Sequence, residues 1–272
     1  MKVSIIGVGW LGEQIADYLL KSKIEILGTT RKTDKAQRLI NKGINAVQLD
    51  LSSPQLAKNI WTEIAQSDWI IFTIPPSSFG NTYAAHYIRF FEQLQQFVVE
   101  GTIIFASSTS VYGNETRIVD EDSKLNPESE NAKQIVKVED FIQNNFDRYS
   151  IWRMGGLVGP KRHPVNYLIG RSGISKPKAP VNLVHSVDII NLFEQFIFNE
   201  FNYPILNLCS PEHPTKEEYY TRVAKQLNKS LPIFDAQDQQ LGKTVQSKYL
   251  KQAAFQYIYP SPFDYPQAQE NE

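Results

Sequence analysis

Cysteine is almost missing from this chain. Cys209 stands alone, which excludes an intramolecular disulfide framework and any multi-cysteine zinc or iron–sulfur site. A reduced compartment fits that usage. Long apolar runs are missing as well. A transmembrane helix needs ~20 consecutive apolar residues, and the stretches around Trp69–Pro76 and Thr102–Ala106 are far shorter. The apolar residues after Met1-Lys2 superficially suggest a signal peptide, but Gly7, Gly9, Gly12, Glu13 and Asp17 break the pattern. An excess of one charge is lacking too. With 28 basic against 29 acidic residues the formal net charge is −1, which excludes a strongly basic protein reading nucleic acid by overall charge. His86, His163 and His213 show no ligand spacing with one another or with acids, and no metal is expected. The expectation is a soluble, cytoplasmic protein whose partner is a small molecule, not nucleic acid or a membrane.

What is present is a chain of 272 residues, 42% hydrophobic, enough for one large domain or a large one plus a small one. Apolar runs ending at turn residues predict strands at Lys2–Ile6, Ile24–Gly28, Asn45–Leu49, Trp69–Ile74 and Thr102–Ala106. Between them, helical spacing predicts helices over Leu11–Lys21, Asp34–Asn41 and Tyr83–Val98. Strand–helix alternation implies an α/β fold, a Rossmann-type doubly wound parallel sheet with helices on both faces. The second half is less regular. It predicts helices at Ala132–Asn144, Ile189–Phe198 (with Asp188 as N-cap) and Thr215–Gln226, and strands at Ser150–Arg153, Asn182–Val184 and Ile205–Leu208. The expected organisation is a dinucleotide-binding domain over 1–160 and a smaller C-terminal, substrate-side portion over 161–272, with roughly 181–209 returning to the sheet.

Gly7-Val8-Gly9-Trp10-Leu11-Gly12 matches G-x-G-x-x-G where the first strand meets the first helix. Gly7 permits the tight turn, Gly9 lets the backbone approach a pyrophosphate, and Gly12 lets helix and strand pack closely. The N-terminus of that helix offers N–H groups to phosphate. An NAD-binding strand would end in an acid that holds the ribose 2′-hydroxyl. Here the sequence reads Gly28-Thr29-Thr30-Arg31-Lys32. Hydroxyls and cations suit a 2′-phosphate, so NADP(H) is the preferred cofactor and NAD(H) the second, with Thr30, Arg31 and Lys32 as readers. Asp50 and Leu51, closing the third strand, are placed to border the adenine. Ile74-Pro75-Pro76 and Ser107-Ser108 complete the expected cofactor path along with Trp10 and Leu11.

Ser107-Ser108-Thr109-Ser110-Val111-Tyr112-Gly113, taken with the opening turn, resembles the extended short-chain dehydrogenase/reductase family, the nucleotide-sugar epimerase and dehydratase group. Asp120-Glu121-Asp122 with Pro127, Arg153–Pro160 and Leu183–Asp188 extend the resemblance over most of residues 1–230. The Gly-Trp-Leu-Gly turn and the short C-terminal part are most similar to its small atypical bacterial branch, the YeeZ-like proteins. The resemblance implies hydride chemistry on a nicotinamide, a Ser or Thr on the substrate oxygen, and a Tyr four residues before a Lys to transfer the proton. It also implies a homodimer.

Ser108 falls at the hydroxyl position. The Tyr-x-x-x-Lys pair does not occur: aligning on Glu139 places Asn131 and Ile135 there, and a shift of one offers Glu130 and Gln134. Asn carries no titratable proton and Ile cannot depress a neighbour's pKa. Tyr112 is the candidate proton relay beside Ser108, and Glu130 a candidate carboxylate. Arg153, Lys161, Arg162 and His163 flank a Gly-Pro loop that could meet an anionic substrate. Two functions therefore stand open: an oxidoreductase- or epimerase-like enzyme with a degenerate proton-transfer set, and a cofactor-binding regulator without chemistry. A hydroxyacid-dehydrogenase type ranks last, because that family lacks the Ser-Ser-x-x-Val-Tyr-Gly segment.

Overall fold

The computed structural model describes residues 1–198 and 203–266. Its elements follow in the order β1 (Lys2–Ile6), α1 (Trp10–Lys21), β2 (Glu25–Thr30), α2 (Thr33–Asn41), β3 (Asn45–Gln48), α3 (Lys58–Ala65), β4 (Trp69–Phe72), α4 (Tyr83–Leu94) and β5 (Thr102–Ser108). The remainder is β6 (Ile118–Val119), α5 (Glu130–Asn145), β7 (Tyr149–Met154), β8 (Gly156–Val158), β9 (Leu183–His185), α6 (Ser186–Phe198), β10 (Ile205–Leu208), α7 (Lys216–Gln226), β11 (Thr244–Val245) and α8 (Lys248–Gln252).

The main sheet has seven strands in the order β10-β7-β5-β4-β1-β2-β3. Val3 pairs in parallel with Ile26 on one side and Trp69 on the other. Chain order reverses between β1 and β4, the topological switch point at which open α/β sheets place ligands. The fold is thus the Rossmann-type α/β sheet that the alternating pattern predicts. The central strands are β-branched and aromatic because they are covered on both faces: Val3, Ile5, Ile6, Phe72 and Phe105 are fully buried. α4 lays Tyr83, Tyr87, Phe90, Phe91 and Leu94 against them, with Phe72 and Phe91 ring centroids 4.8 Å apart. This aromatic stack anchors the sheet beneath the switch point.

Contacts divide the chain into two compact units. The first comprises Met1–Val111 and Pro127–Trp152; the second comprises Tyr112–Asn126 and the described residues from Arg153 on. These bounds differ from 1–160 and 161–272, because the 112–126 loop carries β6, which pairs with β11 near the C-terminus. The second unit has its own core, in which Val165, Leu183, Tyr219 and Val223 are buried together. Thr215 caps α7 by accepting the Glu218 N–H at 3.2 Å.

Two local expectations change, and one helix, α3, was not expected. The helix over Tyr83–Val98 stops at Leu94. α3 has no sequence signal at its start, since Ala57 stands at its N-cap without a side-chain bond. Asp188 is not a cap. It lies inside the first turn of α6, and its Oδ1 accepts the N–H groups of Ile258 (2.6 Å) and Tyr259 (3.3 Å).

Candidate functional site

The turn after β1 lies in the first unit, and threonines from both neighbouring strands hold its shape. Thr29 on β2 accepts the Gly7 N–H on its hydroxyl at 2.9 Å, and its carbonyl accepts the Val8 N–H at 2.7 Å. Thr73, just beyond β4, donates its hydroxyl to the Gly7 carbonyl. Gly7 has φ +95°, and a Cβ there would meet the Ile74 side chain at 2.3 Å. Both facts demand glycine. At Gly12 a Cβ would meet the Gly7 carbonyl oxygen at 2.9 Å and Ile5 at 3.2 Å, so this glycine serves the close packing of α1 on β1. Gly9 is different. A Cβ there would meet only Gly7 O, at 3.8 Å. It is exposed, and no side chain caps α1. The amides at the start of α1 are thus directed past an open glycine, an arrangement suited to phosphate oxygens. Trp10 and Leu11 open this helix, Leu11 with its side chain in the core.

At the end of β2, Thr30 is nearly buried and Arg31 is exposed. The Arg31 guanidinium carbon lies 5.9 Å from the Phe79 ring centroid. Asp50 accepts the N–H and hydroxyl of Ser52 at 2.9 and 2.7 Å. Those two bonds, and then the charges of Arg31 and His86, hold its carboxyl below the usual range. Asp50 is therefore first a turn-forming acid. Leu51, read from the sequence as bordering the adenine, is 1% exposed and turns into the core. The Ile74 carbonyl accepts both the Tyr83 and Tyr87 hydroxyls at 3.0 Å, and Pro75 follows it exposed. The Ser107 hydroxyl is donated to Glu139, which is fully buried, so only its backbone is offered to a cofactor. Ser108 accepts the Ser110 N–H at 3.1 Å.

The two positions that the resemblance assigns to a tyrosine and a lysine lie on α5. Asn131 is exposed on the first turn of α5, and Ile135 is 3% exposed in the core. The Gln134 amide donates to Glu130 at 2.8 Å, and its oxygen accepts the Ala84 N–H at 3.0 Å. Glu130 is thereby tied to its own helix.

In the second unit, Tyr112 is not placed as a proton relay. It is fully buried. Its hydroxyl donates to Asn207 Oδ1 at 2.8 Å and accepts from Arg153 at 3.0 Å, and burial pushes its pKa up to about 12. The Arg153–His163 group does not form one basic patch. Arg153 is buried against Tyr112, 5.2 Å from its ring centroid, while Lys161 and Arg162 are exposed. His163 is buried, accepting the Val165 N–H at 3.2 Å and meeting the Tyr219 hydroxyl at 3.1 Å. His185 accepts the Val187 N–H at 3.2 Å. Burial lowers both imidazoles to about 4, so they stay neutral. Cys209 is buried with its thiol pushed up to about 12 by desolvation, which makes it inert. Among the described residues no three His, Cys, Asp or Glu side chains group as metal ligands, and no helix is long and apolar enough to cross a membrane.

Sequence reading singled out the glycines and Arg31. It did not single out Thr29 and Thr73 as supports of the Gly7 turn, because each reaches Gly7 from another part of the chain.

A parallel sheet that reverses at β1/β4, with a glycine turn on the switch strand, defines a Rossmann-class protein. The chain belongs to the NAD dependent epimerase/dehydratase family, whose model matches residues 3–164. Protein YeeZ of Escherichia coli (strain K12) is 29% identical over 277 aligned positions, covering 97% of this chain and 98% of YeeZ. Among solved structures, a putative NAD-dependent epimerase/dehydratase from Methylobacillus flagellatus superposes with TM-score 0.79 at 18% identity, over 96% of this chain and 94% of that one. The human epimerase family protein SDR39U1, solved with NADPH, gives TM-score 0.72 at 16% identity over 96% of each chain. UDP-glucuronic acid 4-epimerase from Bacillus cereus, solved with NAD, gives 0.74 at 17% identity, over 92% of this chain and 91% of that one.

Proposed function

We propose that the protein binds NADP(H), with NAD(H) as the weaker ligand, and acts as an oxidoreductase- or epimerase-like enzyme on a small polar carbonyl or hydroxyl compound. The observation that carries this reading is the turn at Gly9: an open glycine before an uncapped helix N-terminus, with Arg31 where an acid would hold a ribose 2′-hydroxyl. Relatives of this fold have been solved with NADPH and with NAD. The nicotinamide, when bound, supplies the hydride chemistry. Ser108 holds the substrate oxygen: its own oxygen takes the Ser110 N–H, which leaves the hydroxyl proton for the substrate. No tyrosine–lysine pair stands on α5, so water carries the proton, and rates fall ~10²–10⁴-fold below those of relatives with a positioned acid–base.

Ile135 favours a second reading. The lysine position is not merely substituted but packed apolar at 3% exposure, as expected of a cofactor-responsive regulator without turnover. Calorimetric titration with NADPH and NADH, followed by a carbonyl and nucleotide-sugar panel, separates the two. Tight NADPH binding, weakened by Arg31→Ala, with Ser108-dependent turnover supports the enzyme. Binding without turnover, and a partner whose affinity changes with NADPH, supports the regulator. Binding of neither cofactor overturns both.

A further inference from the structure

We propose that a cavity in the second unit is a binding site for a small hydroxylated aromatic carboxylate. The cavity has a volume of about 630 Å³, within the range of pockets that take small organic molecules. All the residues that line it belong to the second unit. None belongs to the glycine turn or to the Ser108 segment, so the inference stands apart from the cofactor reading above. Its wall is built from residues 209–213 after β10, residues 245–252 of β11 and α8, and residues 254–257 that follow. Ala254 adopts φ +52° and reverses the chain after α8, so that the Phe255 N–H returns to the Leu250 carbonyl at 2.9 Å. Val245 and Phe255 are buried. The Phe255 and Tyr257 rings meet edge-to-face, with centroids 4.8 Å apart and planes at 84°. Part of the cavity is therefore apolar and aromatic.

Three polar groups on its lining residues have no hydrogen-bond or ion-pair partner among the described residues. The first is His213 Nε2. The other ring nitrogen, Nδ1, meets the Val181 carbonyl at 3.0 Å. A carbonyl only accepts, so Nδ1 carries the proton, and burial holds the ring neutral. Nε2 is left as an acceptor. The second is the Tyr257 hydroxyl, which lies beside Ser247 but completes no hydrogen bond. The third is the Lys251 ammonium, exposed and outside every ion pair. The charges near it are taken. Lys248 pairs with Asp122. Asp120, whose charge reaches Lys248, accepts the Asp122 N–H at 3.1 Å and the Ser123 hydroxyl at 2.9 Å. A ligand that complements this set has a flat apolar body for Phe255 and Tyr257. It has a hydroxyl to donate to His213 Nε2, and a carboxylate for Lys251.

The test is calorimetric titration of the full chain with 6-hydroxy-2-naphthoate, with 2-naphthoate, which lacks the hydroxyl, and with 2-naphthol, which lacks the carboxylate. The first should bind one per chain, and each of the others about fivefold more weakly, the scale of one hydrogen bond. Lys251→Gln, at an exposed position, should weaken both carboxylates about fivefold and leave 2-naphthol within twofold. Gln256→Trp, also exposed on the lining, should fill the space and abolish binding of all the probes. Melting temperatures near that of wild type show that the variants fold. Absence of 6-hydroxy-2-naphthoate binding to wild type, equal affinity for the probes, or binding untouched by both substitutions overturns the proposal. NADPH titration of the same samples reads the cofactor reading separately, so either can fail without the other.

Discussion

Replacing Tyr112 by Phe separates the structural role of this residue from the catalytic one its sequence position suggests. The substitution keeps the ring, and with it the Arg153 guanidinium 5.2 Å from the ring centroid. It removes one oxygen that donates to Asn207 at 2.8 Å and accepts from Arg153 at 3.0 Å. All three side chains are buried, at 0%, 0% and 3% exposure. Asn207 Oδ1 would lose its donor where water cannot replace it, although its amide still donates to the Gln246 carbonyl at 3.0 Å. Stranding a buried polar group costs about 1–3 kcal/mol, and bonds to a charged partner lie at the upper end. Tyr112→Phe should therefore cost about 2–3 kcal/mol, with a melting temperature lower by roughly 4–10 °C on the scale of a chain this size. Urea titration followed by tryptophan fluorescence reads the change, and a Tyr112→Phe/Asn207→Ala cycle isolates the pairwise part. NADPH affinity should not move. A loss under 0.5 kcal/mol, or turnover abolished while stability is unchanged, would refute the reasoning and return Tyr112 to catalysis.

Three further outcomes follow from the same geometry. Gly9→Ala, with room for its Cβ, should keep stability within about 0.5 kcal/mol of wild type but lose most NADPH affinity. Gly12→Ala should cost about 1–3 kcal/mol through overpacking. Circular dichroism melts beside calorimetry separate the two. Ser107→Ala removes one hydrogen bond to the buried Glu139 and should destabilise by about 1–3 kcal/mol, whereas Ser108→Ala should change stability little and turnover strongly; denaturation midpoints set against a turnover assay decide. For pH, His163 and His185 have folded-state values of about 4 against 6.5 unfolded. Their stabilisation is complete above pH 6.5 and is lost as pH falls toward 4, up to about 3 kcal/mol each. Asp188, raised by burial to about 6, opposes them, since its burial is relieved as pH falls through that value. The net loss is about 3 kcal/mol, and His185→Asn, which preserves an acceptor for Val187, should flatten the slope in a urea series from pH 7 to 4.

The fold was legible because β1, β3 and β4 are short runs closed soon after by Gly7, Asp50 and Pro75, and because the glycine spacing sits on a strand–helix junction. The lateral supports of that turn were not legible. Thr29 and Thr73 reach Gly7 from 22 and 66 residues away, and nothing local to either marks the contact. Tyr112 misled for the same reason. Its place after Ser108 suggests an active site, while the residue that fixes its hydroxyl, Asn207, is 95 positions on. Asp188 has the composition of a cap, yet it serves the backbone 70 residues later. That no Tyr-x-x-x-Lys occurs between residues 113 and 150 could be read directly from the chain. That Ile135 is packed in the core could not, since the face of α5 it occupies is fixed by tertiary contacts.

Glu121 bears on the order in which the chain can assemble. Its two carboxylate oxygens accept the N–H of Asn207 and of Lys248, each at 2.9 Å, and it is 6% exposed. The first unit is complete in sequence at Trp152 and can close while later residues are still being synthesised. The acid at 121 has by then left the ribosome, but its second partner is 127 residues behind it. Until that partner arrives, the 112–126 segment must stay hydrated outside the first unit. Chains truncated before residue 248 would therefore lack one of the two backbone donors that hold this carboxylate, and the second unit is fastened across a long sequence separation.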